Sequence, residues 1–153
     1  MITPQELTKI KGTVQEFFQK MGFPVEVEAK TLKEKTVPLN IKTEDPKTLI
    51  GERGKLLLSI ERLLRIITRK KIDKEFYLNL DVNGYKEKKT DYLRQLAKSV
   101  ADDVALSKEE KVLPPMLPYE RRIVHLELAD RENIITKSVD RGSNRKIIVK
   151  PYP

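Results

Sequence analysis

The stretch Leu49-Ile50-Gly51-Glu52-Arg53-Gly54-Lys55 decides how the first half of this chain folds, because it places a Gly-x-x-Gly turn between a polar segment and a strongly apolar helix. The two glycines let the backbone turn tightly and approach a ligand closely, since neither has a Cβ. The helix that follows presents unpaired N–H groups and a partial positive charge at its first turn. Such a turn suits an anion, although many Gly-x-x-Gly turns only reverse the chain.

Hydrophobic periodicity around this turn predicts the order α-β-β-α-α-β for residues 1–83. A capping box formed by Thr3 and Glu6 begins the first helix, and Gly22 ends it. Apolar and polar residues then alternate in three segments, the pattern typical of strands with one buried face. Pro38 in the second segment suggests an edge strand or a bulge. The three segments centre on residues 25–29, 37–41 and 76–82.

The helix after the glycine turn is predicted from about Lys55 to Arg69. Its inward side chains are expected to be Leu56, Ile60, Leu63, Leu64 and Ile67. Arg62, Arg65 and Arg69 lie at positions i, i+3 and i+7, which predicts a basic stripe opposite the apolar face. Residues 53–74 hold eight basic and two acidic side chains, so the stripe would extend a cationic surface from the turn. Such a stripe is also typical of a solvated helix face that binds nothing.

The second half, residues 84–153, is predicted to be a small α+β domain with two helices on a small antiparallel sheet. The turn dipeptide Asn83-Gly84 marks the predicted boundary. Helical patterns cover Tyr85 to about Ser107 and Tyr119 to about Leu128, with Tyr92 and Leu126 among the inward residues. Three β-like runs follow the first helix, at residues 112–113, 134–139 and 146–149. The fold class is therefore α+β, with two small domains at 1–83 and 84–153.

A second group of candidate binding residues lies in this second domain. Arg121 and His125 are four positions apart on a predicted helix, so their side chains share one face. An arginine offers a fork of donors to phosphate, and an imidazole can hydrogen-bond a phosphate or stack on a base. Arg122, Asn144 and Arg145 are expected to approach the same surface. A lone histidine is more often structural, and Asn144 and Arg145 can equally serve as turn residues.

Charge favours a polyanionic partner. The 153 residues include 31 Lys and Arg against 23 Asp and Glu, which gives a net charge of +8 and an isoelectric point near 9.6. The excess of basic over acidic residues is divided evenly between the two predicted domains, so the positive charge does not come from a basic tail. The alternative is a charge that serves only solubility.

Composition also excludes several classes of site. The sequence has no cysteine and one histidine, so it has no disulfide, no thiolate zinc site and no multi-histidine metal site. It contains no phosphate-binding Walker loop and no acidic or histidine cluster with metal-ligand spacing. We therefore expect neither an enzyme nor a bound metal or cofactor. No apolar run is long enough for stable membrane insertion and no signal peptide is evident, so a cytoplasmic location is expected.

The motifs together resemble the Jag-like bacterial proteins, also called SpoIIIJ-associated or KhpB-like, in which a KH domain precedes a domain named for its Arg-x-x-x-His motif. The resemblance covers nearly the whole chain. It is carried by Gly51-Glu52-Arg53-Gly54, by the stretch from Asn83-Gly84-Tyr85 to Asp91-Tyr92-Leu93, by Leu113-Pro114-Pro115-Met116 with Pro118-Tyr119-Glu120-Arg121-Arg122-Ile123-Val124-His125, and by Gly142-Ser143-Asn144-Arg145.

The resemblance implies a type II KH domain with a three-stranded sheet, followed by the Arg-x-x-x-His domain. It implies that both domains bind single-stranded RNA, with the glycine loop, Arg121 and His125 contacting the backbone; single-stranded DNA is an alternative ligand. It further implies a role in post-transcriptional regulation or RNA chaperoning linked to the cell envelope or division, and a second small KH protein as a partner.

The sequence departs from the family at two places. Glu52 occupies the glycine turn where a basic or neutral residue is more usual, and a carboxylate near phosphate would weaken binding. Many relatives also carry an N-terminal domain and linker ahead of the KH helix, so a role attached to that domain is not expected here. A different class of function stays open: an adaptor whose basic faces meet an acidic protein.

Overall fold

The computed structural model describes residues 1–30 and 32–153 and shows a mixed α+β protein. The chain divides into two compact units, Met1–Lys86 and Glu87–Pro153. Each unit has its own three-stranded sheet and its own cluster of buried apolar side chains.

The first unit contains three α-helices and three strands in the order helix, strand, strand, helix, helix, strand. They are α1 (Pro4–Lys20), β1 (Glu26–Ala29), β2 (Thr36–Lys42), α2 (Pro46–Ile50), α3 (Lys55–Lys71) and β3 (Tyr77–Val82). In the sheet β1 pairs antiparallel with β2, and β2 pairs parallel with β3. A parallel pair needs a crossover connection. The glycine turn lies in that crossover, between α2 and α3.

Helix α1 begins with the capping box that the sequence predicts. The Thr3 hydroxyl accepts a hydrogen bond from the Glu6 N–H at 3.2 Å, and the Glu6 carboxylate accepts one from the Thr3 N–H at 2.8 Å. These two bonds satisfy donors that the first turn of a helix otherwise leaves unpaired. The helix packs its inward side chains against the sheet; they include Ile10, Val14 and Phe18.

Strand β2 is the central strand of the sheet, so the prediction of an edge strand or bulge at Pro38 is wrong. The Pro38 carbonyl accepts a hydrogen bond from the Lys30 N–H at 2.9 Å, which places this residue's backbone polar groups on the β1 side. Strand β1 ends at Ala29, one residue before this bond. Pro38 has no N–H group, so one hydrogen bond of the sheet is missing there. The proline is tolerated because this missing bond lies at the end of the pairing between β1 and β2.

Helix α3 buries a different face from the predicted one. Leu56 and Leu63 were expected in the core but are 42% and 46% exposed, whereas Leu57 is buried. The inward face also includes Glu61, whose carboxylate accepts a hydrogen bond from the Leu80 N–H of β3 at 2.9 Å. A buried carboxylate needs such partners, and this bond fixes the rotation of the helix against the sheet.

The second unit packs two helices on an antiparallel sheet of strand order β4-β6-β5. Its elements are α4 (Tyr85–Ser107, whose first two residues belong to the first unit), β4 (Lys111–Val112), α5 (Pro118–Leu128), β5 (Ile134–Val139) and β6 (Lys146–Pro151). Tyr92 and Leu126, predicted to point inward, are 56% and 69% exposed. Val124 and Leu128 form the buried face of α5 in place of Leu126.

No helix in the described part of the chain combines the length and the apolar character needed to cross a bilayer.

Candidate nucleic-acid interface

The glycine turn adopts a backbone that only glycine accommodates at two of its positions. Gly51 has φ +71° and ψ −173°, and a Cβ there would lie 2.6 Å from the Leu56 Cβ. Gly54 has φ +78°, and a Cβ there would lie 3.0 Å from the Tyr85 ring. Arg53 between them also has a positive φ, of 55°. Both glycines are therefore needed for the shape of the turn.

This backbone leaves the N-terminus of α3 open. Gly54 is the N-cap residue and provides no side-chain cap to the first turn of α3, and that turn contains no acidic residue. Glu52, Arg53 and Lys55 are all exposed around it. The geometry suits a phosphate, with two cationic side chains favouring it and Glu52 opposing it.

The predicted arginine stripe on α3 is wrong in its geometry. Arg69 turns to the sheet and donates to the Phe76 carbonyl at 3.1 Å, and Arg65 makes a longer contact of 3.5 Å with the Leu78 carbonyl. With Glu61, these side chains occupy the outer edge of β3, where the backbone groups of residues 76, 78 and 80 have no partner among the described strands. The two arginines close a sheet edge, which explains their spacing along the helix. Only Arg62 of the three stays exposed with no such bond in the described structure.

In the second unit, the third residue of α5 caps the N-terminus of that helix. The Glu120 carboxylate accepts a hydrogen bond from the Leu117 N–H at 3.0 Å, and Pro118 occupies the first helical position. Glu120 is buried, so its charge faces the protein and not the solvent. The next residue of the helix, Arg121, is thereby set in place at the surface.

Arg121 and Arg145 meet at the backbone of Met116, and His125 lies close enough to Arg121 to feel its charge; we call these three residues the arginine–histidine cluster. Arg121 donates from Nη1 to the Met116 carbonyl at 2.7 Å. The Met116 N–H donates to the Arg145 carbonyl at 3.1 Å, so one loop residue joins α5 to the start of β6. Arg145 in turn donates from Nε to the Ser138 hydroxyl at 2.9 Å. Each guanidinium keeps further N–H groups for a ligand.

The charges of the cluster act on one another. Burial lowers the pKa of Arg121, and the positive charge of Arg145 lowers it further. Burial also lowers the pKa of His125 below its ordinary value of 6.5, and the charge of Arg121 adds to that shift. His125 is therefore mostly neutral at pH 7. Within residues 1–30 and 32–153, no carboxylate forms an ion pair with a member of the cluster.

His125 is tied to the sheet by a residue that the sequence did not single out. Its Nδ1 lies 2.8 Å from the Thr136 hydroxyl oxygen on β5. Thr136 and Ser138 alternate with their neighbours along β5 and share the face of Ile134, which is buried against the helices. Polar residues on the inward face of a strand were the available signal, and hydrogen bonds to His125 and Arg145 explain them.

Two predicted residues lie outside the cluster. Arg122 is exposed and makes no hydrogen bond to the cluster in the part of the chain that the structure describes. Asn144 is exposed in a short 3₁₀ turn, Gly142–Asn144, and lines a shallow polar cleft with Pro115, Arg141 and Lys146. Asn144 thus adjoins Arg145 in sequence but is not held against Arg121 or His125.

The described residues contain no group of three or more His, Cys, Asp or Glu side chains placed to hold a metal ion.

The fold and the cluster of the second unit define an Arg-x-x-x-His domain. The family model of this domain, which is named R-three-H after the same motif, matches residues 91–151. The matched residues include Arg121, His125 and the strands that support them. The prediction of an Arg-x-x-x-His domain in the second half of the chain is thus confirmed.

Beyond this domain, the chain is similar to curated proteins named RNA-binding protein KhpB. It is 31% identical to the one from Clostridium symbiosum over 137 residues, which cover 89% of this chain and 62% of that protein. It is 33% identical to the one from Bacillus subtilis over 117 residues, which cover 75% of this chain and 56% of that protein. The chain therefore matches less than two thirds of the length of these relatives.

Proposed function

We propose that this protein binds single-stranded RNA without catalysis, through two separate surfaces. One is the glycine turn of the first domain, residues 1–83, which we interpret as a type II KH domain. The other is the arginine–histidine cluster of the Arg-x-x-x-His domain, residues 84–153. The observation that carries the proposal is the convergence of Arg121, Arg145 and His125, to which no carboxylate of the described structure is paired.

The cluster has the chemistry that a sugar–phosphate backbone requires. Two guanidinium groups supply several donors to phosphate oxygens, and the fixed positions of Arg121 and Arg145 reduce the entropy lost on binding. A neutral imidazole beside them donates or accepts one further hydrogen bond. Single-stranded RNA fits better than a duplex, because its unstacked bases remain available beside the bound phosphate.

The first domain adds a second contact of the same kind. The open first turn of α3, with Arg53 and Lys55 beside it, would hold one phosphate, and exposed Arg62 would extend that contact. Arg65 and Arg69 are left out of this surface because they bond to β3. Two weak sites on one chain raise the effective concentration of RNA at each, so useful affinity needs no deep pocket.

The names of the relatives support RNA as the ligand, because several proteins similar to this chain are named RNA-binding proteins. Single-stranded DNA is the nearest alternative, and direct competition between the two nucleic acids would separate them. Action in post-transcriptional regulation or RNA chaperoning, linked to the cell envelope or division, remains part of the proposal, as does a cytoplasmic location.

Filter binding of a single-stranded RNA at several salt concentrations tests the proposal. Neutralising about four phosphates should make log K fall with log salt at a slope of roughly −3, since each contact on a single strand contributes about −0.7. An affinity that does not change with salt would contradict it. Cleavage of labelled RNA by the pure protein with a divalent metal would contradict the non-catalytic part.

A protein partner is the second candidate, and one surface favours it. Leu56, Leu63 and Ile66 lie on one side of α3 and are 42%, 46% and 57% exposed. A second small KH protein with an apolar helix face would suit this surface, which differs from the cationic ones. Nuclease treatment of a native pull-down separates the two functions: partners that survive RNA removal favour direct protein contact, and partners that are lost favour RNA alone.

A further inference from the structure

The Arg-x-x-x-His domain has a cleft on its surface that borders the arginine–histidine cluster. The cleft has a volume of about 690 Å³ and lies between the end of α5, strand β5 and Tyr152. Thr136 lines it, and the hydroxyl of the same Thr136 lies 2.8 Å from His125 Nδ1. The cleft and the cluster therefore share a residue, so a ligand that binds the cluster is one side chain away from the cleft.

The lining of the cleft includes apolar side chains and one tyrosine. Leu128 and Ile134 form part of its lining and are almost fully buried, at 3% and 5% exposure. The ring of Tyr152 is 60% exposed. A flat heterocycle bound in the cleft would lie beside this exposed tyrosine, whose ring offers a partner for stacking.

Tyr152 is held in place by its backbone. Its N–H donates to the Asn133 carbonyl at 3.0 Å, and prolines stand on both sides of it, at 151 and 153. Proline has a fixed φ and also restricts the residue before it. The chain therefore presents this ring with few backbone conformations left to lose when a ligand binds.

The charges around the cleft select a base over a phosphate. Arg131, the cation in the lining, is paired with Asp102 at 2.6 Å, so its charge is already compensated. Glu132 adds a carboxylate to the lining, which repels an anion. None of the three cluster residues lines the cleft, and His125 contacts the Thr136 that does. A single strand would thus place a phosphate at Arg121 and the attached base in the cleft.

We propose that the cleft beside Tyr152 is a stacking site for one base of the RNA strand whose backbone binds the arginine–histidine cluster. This proposal rests on the proposed function and adds a base contact to it. Stacking accepts any base, because each has a π-face, so the site strengthens binding without specifying a sequence.

Fluorescence anisotropy with two RNAs tests the site in the full chain. One probe is a labelled octamer of uridine, and the other has the same length and phosphates but lacks the bases at its central positions. Tyr152→Ala should weaken binding of the first probe by about fivefold or more, since base–aromatic stacking contributes roughly 1–3 kcal/mol. The same variant should bind the second probe, which lacks the central bases, with the affinity of the unchanged protein.

Two control variants make the test specific. Tyr152→Phe keeps the ring and should bind both probes like the unchanged protein. Tyr92→Ala removes another exposed tyrosine of the same unit, one that does not line the cleft, and should also leave both affinities unchanged. Equal affinity of Tyr152→Ala and the unchanged protein for the uridine probe would overturn the site, as would equal losses on both probes. Failure of the unchanged protein to bind either RNA would instead contradict the proposed function.

Discussion

His125 Nδ1 lies 2.8 Å from the Thr136 Oγ1, and this bond joins helix α5 to strand β5 at the centre of the Arg-x-x-x-His domain. The contact orients the imidazole ring and leaves Nε2 without a hydrogen bond to another residue of the described structure. A ligand that reaches the ring therefore meets Nε2. The hydroxyl can donate to Nδ1 or accept from it, so it adapts to either protonation state of the ring.

Replacing Thr136 should weaken RNA binding through His125, the residue that its hydroxyl contacts. In Thr136→Val the ring loses its fixed orientation, and we expect about a two- to tenfold loss of affinity, the range of one hydrogen bond. Thr136→Ser keeps the hydroxyl and should restore most of that affinity. Anisotropy titrations measure both variants. If Val and Ser variants bind equally well, the hydroxyl does not position His125.

RNA binding should strengthen as the pH falls below 7. Burial and the charge on Arg121 lower the pKa of His125 below 6.5, so the ring is mostly neutral at pH 7 and gains positive charge as the pH falls. A cationic ring attracts phosphate more strongly. Affinity measured from about pH 8 to about pH 5 should rise toward acid in the unchanged protein, and His125→Gln should flatten that rise. An unchanged pH profile in His125→Gln would rule out titration of this ring as the cause.

The same titration should act on folding in the opposite direction. The ring takes up a proton more readily in the unfolded chain, where its pKa is ordinary, than in the folded protein, where its pKa is lowered. The folded state therefore loses stability as the pH falls from about 6.5 toward the folded pKa, and this contribution is fully present above 6.5. Urea unfolding at several pH values should show a smaller acid loss in His125→Gln than in the unchanged protein.

Removing the carboxylate from the glycine turn should increase affinity. Glu52 is exposed beside the open N-terminus of α3, where its charge opposes a bound phosphate. For Glu52→Gln we expect about a two- to fivefold gain in RNA affinity at low salt, the size of one exposed charge interaction. The gain should shrink at high salt. Weaker binding by Glu52→Gln would show that the carboxylate has a favourable role in the turn.

Substitution of two arginines on α3 should separate effects on RNA affinity from effects on the free energy of unfolding. Arg69→Ala removes the donors to the Phe76 carbonyl and should lower the free energy of unfolding by about 1 kcal/mol, with RNA affinity per folded molecule unchanged. Arg62→Ala should do the reverse: unchanged unfolding, and a salt slope closer to zero by about 0.7. Urea unfolding and salt titrations on both variants measure these effects. Reduced affinity in the Arg69 variant alone would restore the arginine stripe as the binding surface.

Local sequence rules identified the turns and helix ends. Thr3, Glu6, Gly51 and Gly54 each have a backbone or capping requirement that can be recognised from a few neighbouring residues. The Arg-x-x-x-His spacing was informative for the same reason, because a helix places residues four apart on one face. These features depend little on the rest of the molecule, which is why the sequence alone could predict them.

The buried face of α3 could not be predicted from the sequence because apolar residues occur on more than one face of that helix. Leu56, Leu57 and Leu58 are consecutive, so hydrophobicity does not fix the rotation of the helix. The deciding partner is the Leu80 N–H on β3, which is distant in sequence and is bonded by Glu61. The positions of the Arg65 and Arg69 side chains follow from that rotation.

The supporting residues of the cluster were missed for a related reason. Thr136 and Ser138 belong to a short strand whose partners His125 and Arg145 come from a helix and from the segment that leads into the next strand. Their polarity on an inward strand face indicates a partner, but neighbouring residues do not show which residue it is. Only the packing of α5 on the sheet brings the hydroxyls and the cations together.

The most direct test of the central claim compares two adjacent arginines. Arg121 belongs to the arginine–histidine cluster, whereas Arg122 has the same charge but lies outside it. RNA affinities of Arg121→Ala and Arg122→Ala should be measured against salt, with thermal unfolding recorded for each variant. We predict roughly a tenfold or greater loss of affinity per folded molecule for Arg121→Ala and little loss for Arg122→Ala. Loss of the bond to the Met116 carbonyl should lower the free energy of unfolding of Arg121→Ala by about 1 kcal/mol, which leaves the protein folded, and Arg122→Ala should unfold like the unchanged protein. Equal affinities in the two variants, or a loss in Arg121→Ala fully explained by unfolding, would contradict the account.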